Sequence, residues 1–470
     1  MSDAGSLEHH SLTDRMSIVA STDPELRAAF ARDASGLELV PEGVARPRSV
    51  EEIVELVRCA RAHGTPVTAA GGQTSTTGAS ITDKGMLLSL KSMNRIAEFD
   101  ARTRTVTVGP GALVGEIKKT VAAAGLLFAP DPTSEEESTI GGAVACNASG
   151  ARTFKYGATR RHVRALKVVM ANGELVEFRR TDLEKNTVGY AFAHDPIDWF
   201  IGSEGTLGIV VEAELALLPL PERVIGLATL FATEIDALKF VVASREAGTV
   251  APRCIEYFDD RALEIARHHA PAATIPEEAR AMVYVEEEVQ GDLDATLARW
   301  LALIESIASD FEPLVFDGEA RLRDARKIRH SIPSTMNERG GRYRAAGGRK
   351  VGTDWAVPYR KLSAAIRTAR SLAKERGLEA PVIYGHAGNG HPHQNFIARD
   401  VGELATIEEV VEQTLKHVLS LGGTVAAEHG IGKIKRRWLP LQMNPLQISM
   451  MTAVKRELDP SGILAPGNIL

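Results

Sequence analysis

Thr139-Ile140-Gly141-Gly142-Ala143-Val144-Ala145-Cys146-Asn147-Ala148-Ser149-Gly150 carries a small side chain at nearly every position. Such a stretch lets another body come close to the backbone. That body is either a packed helix or a flat cofactor, and the flanking sequence bears on which. Upstream, Pro66-Val67-Thr68-Ala69-Ala70 reads as a short buried strand running into Gly71-Gly72-Gln73-Thr74-Ser75-Thr76-Thr77-Gly78. Adjacent glycines let consecutive backbone N–H groups face one anion, a nest suited to phosphate. Thr74, Ser75 and Thr76 add hydroxyl donors, although a plain surface turn has the same composition. The loop is no P-loop, since no Gly-Lys-Ser/Thr follows, and it lacks the Gly-x-Gly-x-x-Gly fingerprint. Downstream, Phe200-Ile201-Gly202-Ser203-Glu204-Gly205-Thr206-Leu207-Gly208-Ile209-Val210 leads into a strand-like run at 211–218.

Bulk properties narrow the class. A chain of 470 residues exceeds one ordinary core, so two domains are expected. With 44% hydrophobic and 25% charged residues it reads as a globular protein. A net charge of -6 gives no electrostatic case for nucleic acid. Cys59, Cys146 and Cys254 are too scattered for a disulfide framework, which points to a reducing, cytoplasmic compartment. No apolar run is long enough to span a bilayer, so membrane association is expected to be peripheral at most, at the inner face. Residues 1–16 show no apolar region of a secretory signal.

Taken in order, residues 1–40 form an N-terminal arm with a short helix around 24–33, and 41–220 a first domain. Ser49 as N-cap, Glu51 and Glu52 in the first turn, the apolar spacing Ile53, Leu56, Val57, Ala60 and a stop at Gly64 mark an amphipathic helix. Strands follow at 86–90 and 103–108, and a helix at 113–124. Pro219 and Pro221 close this domain. Residues 221–455 then alternate strand and helix, the pattern of an antiparallel sheet flanked by helices and covered on one face. A Pro/Ala loop falls at 271–276, and 456–470 is a segment that returns to the first domain. The basic residues between 321 and 350 read mostly as a solvated helix face followed by a mobile Gly/Arg loop.

Two late stretches carry chemistry. Tyr384-Gly385-His386-Ala387-Gly388-Asn389-Gly390-His391-Pro392-His393 holds three histidines in a loop too rich in glycine and proline for a helix. Ala427-Glu428-His429-Gly430-Ile431-Gly432 adds a carboxylate and a fourth imidazole. Two histidines and one carboxylate with open positions form the ligand set of a catalytic divalent metal. Separate surface histidines in a Gly-rich turn are the plain alternative.

Six motifs occur in order between positions 71 and 209: Gly-Gly-Gln-Thr-Ser, Asp-Pro-Thr, Thr-Ile-Gly-Gly, Asn-Ala-Ser-Gly, Tyr-Gly and Gly-Ser-Glu-Gly-Thr-Leu-Gly-Ile. Together they resemble the FAD-binding domain of the vanillyl-alcohol-oxidase (PCMH-type) flavoprotein superfamily. The histidine loop, Glu428-His429-Gly430-Ile431-Gly432 and the closing Leu458-Asp459-Pro460 with Ala465-Pro466-Gly467 resemble its D-2-hydroxyacid dehydrogenase branch. That branch includes D-lactate dehydrogenases, the glycolate oxidase flavin subunit and D-2-hydroxyglutarate dehydrogenase. The resemblance implies an α+β chain, a PCMH-type FAD-binding domain followed by an α+β substrate domain. It places Gly71, Gly72, Gln73, Thr74 and Ser75 on the FAD pyrophosphate. Pro130, Asp131, Thr133, Thr139, Gly142, Asn147, Ser149 and Gly150 would line the pyrophosphate and isoalloxazine, and Glu204, Gly208 and Ile209 the rest of the cofactor. Since the first loop holds no histidine or cysteine, non-covalent FAD is expected.

The resemblance further implies a divalent metal, zinc by type, on His386, His393 and Glu428, with His429 as base. Arg326 would fix the substrate carboxylate, a task suited to the planar guanidinium fork, with Lys350 assisting. The family loop Gly-His-x-Gly-Asp-Gly-Asn-x-His is altered here, with Asn389 for the aspartate and His391 for the asparagine, which leaves the substrate open and lets His391 join the metal sphere. The implied reaction is oxidation of a small-molecule D-2-hydroxy acid, D-lactate first, with glycolate or D-2-hydroxyglutarate as alternatives. Electrons would pass to a quinone, a cytochrome or an electron-transfer flavoprotein. A homodimer is among the assemblies compatible with the chain. Two rivals stand beside this. One is a non-redox flavoenzyme resembling alkyldihydroxyacetone-phosphate synthase, for which the basic run Lys433–Arg437 would suit a phosphate; that family has histidine where Glu428 stands. The other is a non-catalytic flavin-binding subunit, which would lack the second-half histidines.

Overall fold

The computed structural model describes residues 20–269, 275–307 and 311–470. The segment 1–16 and most of the loop at 271–276 lie outside them. In the first half, β1 (Gly43–Ala45), β2 (Val67–Ala70) and β3 (Met86–Ser89) form a parallel sheet of order β1-β3-β2. A second sheet is antiparallel. It contains β4 (Ile96–Asp100), β5 (Thr105–Val108), β7 (Val163–Val169), β8 (Leu175–Arg179) and β9 (Ile209–Ala216) in the order β4-β5-β9-β7-β8. A small pair joins β6 (Leu126–Leu127) to β10 (Leu218–Pro219). Helix α1 (Val50–His63) begins where Ser49 accepts the N–H of Glu52 and stops at Gly64 with φ 64°. It buries Ile53, Leu56, Val57 and Ala60 against Val67, Leu88, Val169 and Ile209. Ile53, Leu56 and Val57 each stabilise the fold by about 1.5–3 kcal/mol. The end of the chain closes the same core. Ile463 and Leu464 are buried in it, and Val67 bonds the backbone of Ile463 and Ala465.

The second half is one seven-stranded antiparallel sheet. Its strands are β11 (Val224–Phe231), β12 (Pro252–Phe258), β13 (Ala281–Glu288), β14 (Leu314–Asp317), β15 (Gly347–Thr353), β16 (Val382–His386) and β17 (His391–Asp400), in the order β14-β11-β13-β12-β16-β17-β15. The expectation of cover on one face needs correction. Helices α2 (Glu234–Glu246), α3 (Leu293–Ser306), α4 (Leu362–Glu375) and α5 (Val401–Ser420) supply the core on one face. Helices α6 (Asp260–His269) and α7 (Glu319–Gly341) pack on the other, against Cys254, Phe258, Tyr284 and Tyr384. The central strands are accordingly buried at nearly every position rather than alternating.

The basic stretch keeps its expected helix, a single one over 319–341 carrying Pro333 inside it, but the expected mobile loop ends instead in β15. Glycine is required there by close packing: a Cβ on Gly348 would meet the Ala398 carbonyl oxygen at 2.3 Å.

Candidate functional site

Strand register builds the site. β16 and β17 pair so that His386 faces His391 and Tyr384 faces His393. Directly opposed residues share a face, and so do alternate residues along a strand. All four rings therefore project from one face of the sheet. The connecting turn at Ala387–Asn389 closes through Gly390 at φ 69°. A Cβ on Gly390 would lie 1.9 Å from the Val357 carbonyl oxygen, so no other residue fits.

Glu428 arrives from a separate loop. Asp354 holds that loop, its carbonyl accepting the Ala427 N–H at 2.7 Å and its Oδ2 the Glu428 N–H at 3.1 Å. The buried Lys435 ammonium pairs with the same Asp354. Glu428 Oε1 then sits 3.5 Å from His386 Nε2 and 3.3 Å from His393 Nε2. One ligand atom from each of the three residues lies within 4.8 Å of the others. On the far side, His386 Nδ1 contacts Glu256 Oε1 of β12 at 2.6 Å, which directs Nε2 inward, the usual support for a metal-ligating imidazole. The donor set thus fits a divalent cation. The charges lean the same way. Burial alone would depress His386, but Glu256 and Glu428 push it up to about 10. Burial alone would raise Glu428, yet His386, His391 and His429 hold it well below the carboxylate range. Burial drives His393 well below and His391 down to about 4.

Beside this cluster runs a cleft lined almost entirely by the first half. Gly71, Gly72, Gln73, Thr74, Ser75, Thr139, Gly142, Ser149, Glu204, Gly208 and Ile209 line it, and His429 closes one wall. A Cβ on Gly142 would meet only Thr139 Oγ1, at 3.5 Å, so the wall stays open to a close-approaching ring. The cleft therefore fits a flat, extended cofactor. Pro130, Asp131, Thr133, Asn147 and Gly150 do not line it. Asp131 pairs with Arg152 at 3.1 Å, Asn147 Oδ1 accepts the Arg160 N–H at 2.9 Å, and Gly150 packs on the Asp131 backbone. Glu204 lines the cleft, but its carboxylate accepts the N–H groups of Ile431 and Gly432. It anchors the 429–432 loop to the first half. Ser149 makes a similar link, donating to Glu428 Oε2 at 2.9 Å. Gln73 donates its amide to the Phe30 carbonyl at 3.0 Å.

His429 connects the two sites. Its backbone adopts φ 61°, unusual for a non-glycine residue. Nδ1 lies 3.5 Å from Asp354 Oδ2 and Nε2 3.4 Å from Glu428 Oε1. The ring stacks on His393 with centres 5.6 Å apart.

The cationic residues divide. Lys350 lies near the site, donating to Asn337 at 3.0 Å; burial and then the Arg329 charge push it down to about 8. Arg329 donates Nε to Glu256 Oε2 at 2.9 Å and lies over the Tyr384 ring at 4.6 Å. Arg326, one turn earlier on α7, makes no ion pair among the described residues and contributes to the low pKa of Glu135, behind Lys118 and Arg152. Sequence reading passed over Arg329, Glu256 and the Asp354–Lys435 pair. The one available signal for Arg329 was its helical spacing from Arg326.

Comparison with known proteins agrees with this architecture. Residues 41–179 match the family described as FAD binding domain, and 220–469 the family described as FAD linked oxidases, C-terminal domain. The glycolate oxidase subunit GlcD of Bacillus subtilis (strain 168) is 31% identical over 94% of this chain and 92% of its own. A D-2-hydroxyglutarate dehydrogenase of Xanthomonas citri pv. viticola is 32% identical over 91% and 89%. A D-lactate dehydrogenase of Anaerostipes hadrus is 29% identical over 95% and 93%. Among solved structures, an alkyldihydroxyacetonephosphate synthase superposes with a TM-score of 0.73 at 18% identity, covering 97% of this chain and 84% of that one, a likeness of fold. With a cleft shaped for a flat cofactor and both family matches in place, the chain belongs to the FAD-linked oxidases.

Proposed function

We propose that this protein oxidises a D-2-hydroxy acid, D-lactate first among candidates, to the 2-oxo acid, with electrons leaving to a non-nicotinamide acceptor. The observation that carries the reading is the placement of His429 at the wall of the FAD cleft beside His386, His393 and Glu428. When bound, FAD supplies the hydride acceptor and a divalent ion supplies Lewis acidity toward the substrate hydroxyl. The chain's residues do the rest. Arg326, which makes no ion pair among the described residues, is assigned to the substrate carboxylate with Lys350 assisting, while Arg329 one turn away is held by Glu256. His386, His393 and Glu428 would hold the ion. Asp354, facing Nδ1 of His429, leaves Nε2 as the nitrogen that takes the hydroxyl proton.

FAD is read as non-covalent. Cys146 lines the cleft, but burial pushes its thiol up to about 12, so it is a poor nucleophile. The three free cysteines support a reducing, cytoplasmic setting. No helix among the described residues is long and apolar enough to cross a membrane. The non-redox alternative is weaker because a carboxylate, Glu428, sits amid the imidazoles where that family has histidine.

The test is an anaerobic visible spectrum of the purified protein before and after D-lactate, glycolate and D-2-hydroxyglutarate. Bleaching of the oxidised-flavin bands by one of them is expected. Bands that persist with all three would sink the hydroxy-acid assignment.

A further inference from the structure

One residue of the cluster has no role in the proposed chemistry. His391 is the cross-strand partner of His386 and stands two positions before His393. The register alone therefore sets three imidazoles side by side on one face. Their ring centres form a nearly equilateral triangle. The sides are 5.3 Å for His386–His391, 5.2 Å for His386–His393 and 4.8 Å for His391–His393. The rings are turned steeply to one another, at 55°, 78° and 73°. A ligating imidazole nitrogen stands about 2.0–2.1 Å from zinc, which puts the centres of two rings on one tetrahedral ion about 5 Å apart. All three sides of the triangle meet that condition.

A second observation is independent of the spacing. His391 is 4% exposed, and its Nε2 is buried with no hydrogen-bond partner. Buried imidazole nitrogens are normally satisfied. A core histidine placed for packing alone would find a carbonyl or hydroxyl. This one instead faces two other imidazoles and Glu428.

We propose that His391 is a third imidazole ligand of the ion held by His386, His393 and Glu428, giving a set of three nitrogens and one oxygen. The inference rests on the metal reading above. His386, His393 and Glu428 form the tight part of the set, within 4.8 Å. His391 completes it by turning its ring inside the same cluster. One consequence follows for the chemistry: a nitrogen-rich set would favour zinc, cobalt or nickel over the hard ions magnesium, calcium and manganese.

The test is X-ray absorption on the zinc-loaded, FAD-bound protein, which counts imidazoles around the ion whatever the flavin absorbs. Zinc affinity is measured beside it by competition with a chromophoric chelator. Three imidazoles per zinc are expected in the native protein. The His391→Asn variant should show two and bind zinc at least about tenfold more weakly, while keeping its flavin. Two imidazoles in the native protein, or an unchanged spectrum and affinity in the variant, would overturn the proposal and leave the metal reading standing. A native protein that binds no zinc would overturn both. If the variant does not fold, the imidazole count in the native protein decides alone.

Discussion

At the scale of single residues, the proposed reaction divides the site into groups that would touch the reacting atoms and groups that would aim them. On that proposal His429 belongs to the first set. Its replacement by asparagine should leave flavin bound and slow flavin reduction about 10²–10⁴-fold, as loss of a general base does; stopped-flow bleaching at near-native speed would remove it as the base. Glu256 belongs to the second. Glu256→Gln keeps the shape but removes the charge facing His386 Nδ1, and zinc affinity should fall about 10–100-fold with flavin content unchanged. Lys350 gives a pH signature. Burial and Arg329 push it down to about 8, so it is cationic below that value and neutral above it. Binding of the acid should therefore weaken as pH rises through about 8. In Lys350→Arg the guanidinium stays charged, and that rise in KM should vanish; an identical pH profile in the two proteins would clear Lys350 of contact with the carboxylate. Legibility at this scale follows sequence distance. His386, His393, Glu428 and His429 stand in compact motifs and could be read. Glu256 meets His386 across 130 positions, and Asp354 meets Lys435 across 81. No local pattern marks such pairs.

At the scale of elements, helices were easier to read than the strands that carry the chemistry. Ser49, Gly64 and the apolar spacing of α1 are local signals, and the structure uses each of them. β15 gave no such signal. Its Gly348 answers to the Ala398 and Arg399 carbonyls of β17, not to strand propensity. The β16–β17 hairpin was legible as a glycine-rich loop but not as a register, and the register is what gathers the imidazoles. Gly390 is the point where that register is most exposed to change. Any side chain there meets the Val357 carbonyl at 1.9 Å and a left-handed φ of 69°. Gly390→Ala should cost about 1–3 kcal/mol and loosen the alignment of His386 with His391. Lower thermal stability together with reduced zinc occupancy is expected. A variant that melts earlier but retains full zinc would show that the turn supports the fold without setting the site.

At the scale of the whole molecule, the two halves are joined by charges taken out of water. Arg152 from the first half donates Nε and Nη2 to Glu286 of β13 at 3.0 and 3.2 Å, and pairs with Asp131 at 3.1 Å. Arg253 of β12 shares Glu286 at 2.7 Å. Burial alone would raise the Glu286 carboxyl, but Arg152 and Arg253 hold it well below the usual range. A carboxylate depressed in this way contributes stability that is present above its unfolded pKa and is lost as pH falls through the folded one. Removing Arg152 strips buried Asp131 of its ion-pair partner and takes one of the two guanidinium groups from Glu286. Arg152→Met should cost about 3–5 kcal/mol. By contrast, Arg299 is 40% exposed and pairs with Glu287 at 3.5 Å, so Arg299→Met should cost less than about 1 kcal/mol. The network spans the interface that also carries the Ser149–Glu428 and Glu204–Ile431 contacts. Loosening it should therefore release flavin and metal in one step. Thermal unfolding followed by flavin fluorescence and by a zinc indicator should show both signals moving to lower temperature together in Arg152→Met and staying in place in Arg299→Met. If zinc leaves well before flavin in Arg152→Met, the two sites are held by separate supports, and the buried charges serve each half on its own.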